Sequence, residues 1–202
     1  MSFTLQLFSI IILILSAAIH EYMHAWMADR LGDSTARDLG RLTINPLAHL
    51  DWFGSIFLPL LLVFSNSPLI FGYAKPVPFN PYNLRDQKWG PAKVALAGPL
   101  GNFILALGFG LILRLVPALD IQLATFISYI VIINLVLMVF NLIPIPPLDG
   151  SKIITAFLPY NLQLKYFRLE PYGMMLVIFF MLLGMNIVWF LVNVLFNLIV
   201  GQ

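Results

Sequence analysis

The 202-residue chain contains no cysteine, and it has few of the other residues that carry polar chemistry. The absence of cysteine excludes disulfide bonds and thiolate metal ligands, and it removes the usual indicator of the redox compartment. Charged residues make up 10% of the chain and hydrophobic residues 60%, whereas about a quarter of the residues in a soluble domain are charged. The composition therefore excludes an ordinary soluble protein and indicates an integral membrane protein.

The basic residues form no run or stripe, and the formal net charge is only +2. This distribution argues against a nucleic-acid partner and leaves membrane lipid as the expected surroundings. The N-terminus lacks a basic region, and no small-residue cleavage site follows the first apolar run. The first hydrophobic segment is therefore predicted to be a retained span rather than a cleaved signal peptide.

Four hydrophobic segments are each about as long as a bilayer crossing requires. They cover residues 5–28, 93–116, 122–143 and 173–199. Residues 52–66 are also apolar, but Pro59 interrupts them, and a helix of this length reaches only about 22 Å. The prediction is an all-α polytopic membrane protein, a single domain over residues 1–202 with about four transmembrane helices.

Residues 52–90 are predicted to form a re-entrant or interfacial segment that can include a short β-hairpin. Four prolines between Ser67 and Trp89 exclude a regular helix there. If residues 52–66 do not cross, Arg114 is the one basic residue on its side of the membrane, and the other ten lie on or beside the opposite face. The positive-inside rule makes that basic face cytoplasmic and predicts both termini outside the cytoplasm.

Two of the three histidines, His20 and His24, lie four residues apart in the first hydrophobic segment. Residues at this spacing share a helix face, so both imidazoles can bind one metal ion. Glu21 lies between them, and His-Glu-x-x-His is the zinc metalloprotease arrangement in which the glutamate is the general base. An ionisable group at membrane depth indicates a functional site. The alternative is a chance occurrence of the motif in an apolar helix.

A catalytic zinc ion needs three protein ligands and one open position. Asp149 is a better candidate for the third ligand than His49, because prolines within 144–147 break the helix before it and Gly150 frees the backbone after it. An ordinary turn at a membrane exit is the alternative, and spacing alone does not separate the two. His49 is interpreted as an interfacial residue.

Three motifs occur in the same order in three successive predicted spans: His20-Glu-Tyr-Met-His24, Ala97-Gly-Pro-Leu-Gly-Asn102 and Asn141-Leu-Ile-Pro-Ile-Pro-Pro-Leu-Asp-Gly150. In order, spacing and placement they resemble the site-2 protease family of intramembrane zinc metalloproteases. Residues 40–49 resemble its compact bacterial and archaeal subgroup, which has no PDZ or CBS domain. Residues 71–83 resemble the re-entrant β-type segment of the family.

The resemblance implies one zinc ion per chain, with His20, His24 and Asp149 as ligands and Glu21 as the catalytic base. It also implies a transmembrane protein or peptide as the substrate and a prokaryotic cell membrane as the location. The distribution of basic residues, rather than the resemblance, predicts that the active site lies near the cytoplasmic side. The amide of Asn141 is expected to stabilise the oxyanion, with an interhelical hydrogen bond as the alternative.

Two other asparagines in the spans, Asn102 and Asn134, have weaker claims to a role in catalysis. Asn102 follows a run of small residues that favours close helix packing, so it is interpreted mainly as structural. The sequence gives no indication of the oligomeric state.

Two other functions use the same residues. A zinc transporter or sensor would bind the metal without turnover, but it needs ligands across the bilayer, and the third and fourth predicted spans carry no acidic residue or histidine. An inactive scaffold homologue would usually have lost Glu21 or a ligand, and here all are present.

Overall fold

The computed structural model describes residues 3–65, 75–116 and 118–201. Within these ranges the fold is helical and contains no strand, which confirms the predicted all-α class. Four helical segments are long and apolar enough to cross a membrane. These segments are Phe3–Arg30, Gly90–Leu115, Ile121–Asn141 and Tyr160–Leu183.

Nine α-helices are present in the described part of the chain. In chain order they are α1 (Phe3–Arg30), α2 (Thr35–Asp38), α3 (Leu58–Phe64), α4 (Gly90–Leu115), α5 (Ile121–Asn141), α6 (Asp149–Phe157), α7 (Tyr160–Phe167), α8 (Gly173–Leu183) and α9 (Met185–Val200). Large apolar side chains lie on the outer surfaces of the long helices, for example Ile11 on α1 and Ile104 on α4, each 55% exposed. Such surfaces are stable in lipid and costly in water.

Helices α1 and α4 pack against each other in antiparallel orientation. Ala28, near the end of α1, lies in a cluster with Val94, near the start of α4, whereas Ser16 contacts Asn102 further along both helices. Close packing is possible because glycines of α4 lie at the contact: Gly98 faces His24, and Gly101 faces Met23. Residues 31–89 therefore leave and return at the same end of the helical bundle.

Helix α5 and helix α9 complete the packed core around α4. Seven buried residues form this core. They are Ala106, Val131, Leu135, Val139, Val188, Val192 and Ile199. The far end of the bundle is closed by Arg114 of α4, whose guanidinium donates to the Leu198 carbonyl of α9. Asn102 of α4 contacts Asn134 of α5, and Gly110 lies beside Val131, so these two helices are antiparallel. The end that holds the start of α4 is therefore the end at which α5 finishes.

The predicted fourth span, residues 173–199, is not one continuous helix. It is divided at Gly184 into α8 and α9, and α9 is apolar but only 16 residues long. A Cβ atom at position 184 would overlap the ring of Phe180, which packs over the glycine. Glycine is among the weakest helix formers, and here it lets an aromatic ring occupy the space of a side chain.

The segment between α1 and α4 carries short helical pieces rather than a long helix. A π-helical turn at Trp52–Phe57 continues into α3, and the Asp51 carboxylate caps the turn by accepting from the Phe53 and Gly54 amides. Residues 75–80 have no regular secondary structure. Residues 66–74, which include part of the predicted re-entrant β-type segment, lie outside the described residues.

Candidate active site

Three side chains converge at the end of the bundle where α1 finishes and α4 begins. The Nε2 atoms of His20 and His24 lie 3.0 Å apart, and Asp149 Oδ2 lies 3.0 Å from the first and 3.1 Å from the second. All three residues are little exposed. These residues are the only group of histidine, aspartate and glutamate side chains in the described ranges that is close enough to share a metal ion.

The hydrogen bonds of the two imidazoles determine which nitrogen carries the proton. His20 Nδ1 lies 2.6 Å from the Asn102 side-chain oxygen, and His24 Nδ1 lies 2.7 Å from the Val94 carbonyl. Both partners only accept, so each Nδ1 donates and each Nε2 keeps a lone pair. Two lone pairs and a carboxylate oxygen therefore face one point, an arrangement that suits a cation bound between them.

The size of this triangle fits a zinc ion. Ligand atoms about 2.0–2.1 Å from a tetrahedral zinc ion lie about 3.3 Å apart, close to the separations of 3.0–3.1 Å in this protein. Two imidazoles and one carboxylate form a set of three protein ligands that leaves a fourth position open, as catalytic zinc sites do. The residues present therefore fit the metal that the His-Glu-x-x-His motif predicts.

Glycine residues allow the backbone to approach the ligands closely. A Cβ atom at Gly98 of α4 would overlap His24 Nε2 and would lie 2.7 Å from His20 Nε2. A Cβ atom at Gly150 would overlap the Leu142 carbonyl at the end of α5. Only glycine fits at these two positions, and each brings a neighbouring helix to the metal-ligand residues.

Asp149 reaches the histidines from the first turn of α6. It is the first residue of that helix, rather than part of an unwound segment, because residues 142–148 complete the reversal after α5 in a series of turns. A carboxylate at a helix N-terminus is stabilised by the helix dipole. The turns and the helix together direct the side chain back toward α1.

The hydrogen-bond network behind His20 was underestimated from the sequence. The Asn102 amide nitrogen donates to the Ser16 carbonyl at 3.2 Å and to the Asn134 side-chain oxygen at 3.0 Å. The Asn134 amide nitrogen donates in turn to the Ile130 carbonyl. Both asparagines are fully buried. The sequence contains one indication of this contact, a polar residue within the apolar span that follows the predicted histidine ligands. The sequence alone could not distinguish a hydrogen bond to His20 from helix packing.

Glu21 projects toward the loop side of the site. Its Oε2 atom accepts a hydrogen bond of 2.8 Å from the Val77 amide. Glu21 and Val77 line the same cavity as the three ligand residues, and the volume of this cavity is about 430 Å³. The predicted general base and the predicted ligands therefore open onto one space.

Asn141 and His49 also line this cavity. The Asn141 amide donates to the Leu137 carbonyl of its own helix. His49 is buried and its Nε2 atom lies 2.7 Å from the Thr43 carbonyl. His49 does not belong to the group that could bind a metal, and its buried side chain forms part of the cavity wall.

Asp33 lies three residues after the end of α1 and binds the loop around residues 80–83, which follows the cavity-lining residues 76–79. Its buried carboxylate accepts from the Asn80 amide at 2.6 Å and from the Asn83 side chain at 2.9 Å. Burial alone would raise the pKa of Asp33, but the hydrogen bonds from Thr35, Asn83 and Asn80 outweigh it and hold the pKa below its usual range.

Comparison with known proteins gives a consistent result. The chain matches peptidase family M50 over residues 8–117 and 110–184. It is 38% identical over 200 residues to "Putative zinc metalloprotease YwhC" of Bacillus subtilis, covering 94% of this chain and 88% of the relative. It is 30% identical over 169 residues to "Putative zinc metalloprotease Rip2" of Mycolicibacterium smegmatis, covering 82% of this chain and 62% of the relative. No solved structure matches.

These matches show the family. The chain belongs to peptidase family M50, the site-2 protease family. It is a zinc metalloprotease and an integral membrane protein.

Proposed function

We propose that this protein hydrolyses peptide bonds within or beside transmembrane segments of other membrane proteins, using one zinc ion per chain. The observation that carries the proposal is the convergence of His20 Nε2, His24 Nε2 and Asp149 Oδ2 within 3.1 Å at one end of an apolar helical bundle. Substrates embedded in the same lipid reach such a site by lateral diffusion, without leaving the membrane.

The proposed roles of the residues follow from their chemistry. His20, His24 and Asp149 would hold the zinc ion, which when bound would lower the pKa of a water molecule and polarise the scissile carbonyl. Glu21 takes the proton from the water and passes it to the leaving amine. The Asn141 amide donates to the developing oxyanion. Its present hydrogen bond to Leu137 uses one of the two N–H groups of that amide.

A substrate helix has to unwind before its scissile bond is accessible, because the amide is otherwise part of the backbone hydrogen-bond ladder. One wall of the cavity is formed by residues 76–79, of which three line it: Pro76, Val77 and Phe79. An extended chain fits along this wall. We propose that the unwound substrate lies along this segment and donates to its backbone carbonyls, because Pro76 and Pro78 have no N–H group and the Val77 N–H is bonded to Glu21.

We propose that the site lies near the cytoplasmic face and that both termini lie outside the cytoplasm. Support comes from the antiparallel packing of α1 and α4 and from the distribution of basic residues, of which only Arg114 lies at the far end of the bundle. In this cysteine-free chain, single cysteines at positions 37 and 165 should label from the cytoplasmic side. Labelling of position 37 and of the C-terminus from the same side would contradict the topology.

The test of the proposed function compares the wild type with Glu21→Gln on a panel of tagged single-span membrane proteins in lipid vesicles. The wild type should cut at least one panel member in or beside its span, and Glu21→Gln should retain zinc without cutting. Loss of a general base typically slows a reaction by about 10²–10⁴-fold. Cleavage by Glu21→Gln at the wild-type rate would contradict the mechanism, and loss of zinc would place Glu21 among the ligands.

A further inference from the structure

We propose that residues 75–80, which we call the proline strap, position the Glu21 carboxylate for catalysis. This inference rests on the proposed role of Glu21 as the general base. The strap lies outside the helices that carry the metal-ligand residues, and it touches the base through a single backbone hydrogen bond, from the Val77 amide to Glu21 Oε2 at 2.8 Å.

The sequence of the strap leaves one backbone donor at its centre. Pro76 and Pro78 have no N–H group, so Val77 carries the one amide hydrogen between positions 76 and 78. That hydrogen is directed at the glutamate of the His-Glu-x-x-His motif. The pattern Pro-Val-Pro therefore selects which amide can reach the base and prevents its neighbours from competing.

The donor is fixed relative to α1 by packing as well as by the prolines. The Val77 side chain is buried in a cluster with Ala25 and Ala36. Ala25 lies four residues after Glu21, on the same face of α1. Pro78 also restricts the residue before it to extended conformations. The side chain and the amide of Val77 thus contact successive turns of the helix that carries the base.

Both ends of the strap are held by hydrogen bonds. At one end the Lys75 amide donates to the His49 carbonyl at 2.9 Å, and the Arg41 guanidinium donates to the Lys75 carbonyl at 3.0 Å. At the other end the Asn80 amide donates to the buried Asp33 carboxylate at 2.6 Å. A segment without regular secondary structure is in this way held at both ends and at its centre.

This arrangement has a specific consequence for catalysis. A glutamate side chain has several rotatable bonds, and holding one carboxylate oxygen orients the other for proton transfer. The metal-ligand residues are held independently, because the partners of the two histidines are Asn102 and Val94 on α4. Loss of the Val77 N–H should therefore lower kcat and leave zinc binding nearly unchanged, whereas loss of the valine side chain, which Val77→Pro and Val77→Ala share, affects substrate contact equally in both variants.

The first test compares Val77→Pro with Val77→Ala, using the panel member that the wild type cuts fastest. Both variants lose the buried valine, but only proline removes the amide hydrogen. Val77→Pro should have a kcat about 10–100-fold below that of Val77→Ala, which is the range expected for losing a hydrogen bond to a charged group. Equal zinc content and similar KM values complete the expected result. Equal kcat values, or a loss seen only in KM, would overturn the proposal.

The result of Glu21→Gln separates the two hypotheses. An active Glu21→Gln protein contradicts the proposed function itself, whereas an inactive one combined with equal kcat values for the two Val77 variants contradicts the strap alone.

A second set of variants decides the question if Val77→Pro fails to fold and loses zinc. Asp33→Asn replaces one of the two carboxylate oxygens with an NH2 group, which cannot accept the hydrogen bond from Asn80 or Asn83. This variant should lower kcat without loss of zinc. Asp38→Asn removes a nearby exposed carboxylate as the control and should leave kcat unchanged. Unchanged kcat in Asp33→Asn would overturn the proposal.

Discussion

The two sides of the active site are held by different kinds of structure. On the side of the proposed metal site, buried asparagines and glycines of packed helices fix the proposed ligands, as in the contact of His20 with Asn102 and the space left at Gly98. On the base side, Glu21 is contacted by the Val77 amide from a segment without regular secondary structure. One side depends on helix packing in the membrane, and the other depends on a loop anchored at its ends.

This difference means that metal binding and turnover should be separable by mutation. Changes in the helical side should reduce zinc affinity and turnover together, because the ligand atoms move. Changes in the loop side should reduce turnover alone, because the three ligand atoms lie on α1 and α6.

The largest effect is expected at the contact between α1 and α4. Gly98→Ala adds a Cβ atom that overlaps His24 Nε2, so zinc affinity should fall by at least about 100-fold, the upper end of what loss of an outer-shell partner costs. Gly108→Ala on the same helix is the matched control, because a Cβ atom there has no neighbour within 4 Å. Zinc titration of both variants measures the difference, and equal affinities would remove the packing argument.

A smaller loss is expected when the partner of His20 is removed. Asn102→Ala deletes the acceptor of the Nδ1 proton, so zinc affinity should fall by about 10–100-fold, as for other outer-shell partners. Asn134→Ala should cost less, because Asn102 keeps its hydrogen bond to the Ser16 carbonyl. Competition with a zinc chelator gives both values. A larger loss in Asn134→Ala than in Asn102→Ala would reverse the order of the network.

The smallest effect concerns acid stability on the loop side. Because the pKa of Asp33 is lowered in the folded protein, the unfolded chain takes up the proton first. The stabilisation is then complete above the unfolded pKa of about 3.9 and is lost as the pH falls through the folded pKa. Between about pH 5 and pH 3 the Tm should therefore fall less in Asp33→Asn than in the wild type. Parallel Tm curves would contradict this account of Asp33.

Much of the fold could be predicted from hydropathy, because a bilayer fixes the length of apolar segments. Helices α1, α4 and α5 lie within a few residues of the predicted segments 5–28, 93–116 and 122–143. The division of segment 173–199 at Gly184 could not be predicted, because an apolar run has the same hydropathy whether or not a ring of a neighbouring turn packs over its glycine.

The candidate site divides in the same way. The shared helix face of His20 and His24 could be predicted, because it follows from their spacing of four residues in the sequence. The contacts of Glu21 with Val77 and of Asn102 with Asn134 join residues 56 and 32 positions apart. Such contacts depend on how helices and loops pack in three dimensions, and the residue spacing in a single sequence does not specify that packing.

The zinc content of Asp149→Ala compared with that of His49→Ala tests whether His20, His24 and Asp149 form the metal site. Both side chains line the cavity, but only Asp149 lies within 3.1 Å of both histidine Nε2 atoms. We expect purified wild type and His49→Ala to hold one zinc ion per chain and Asp149→Ala to lose it. Full zinc content in Asp149→Ala together with loss of zinc in His49→Ala would contradict the account.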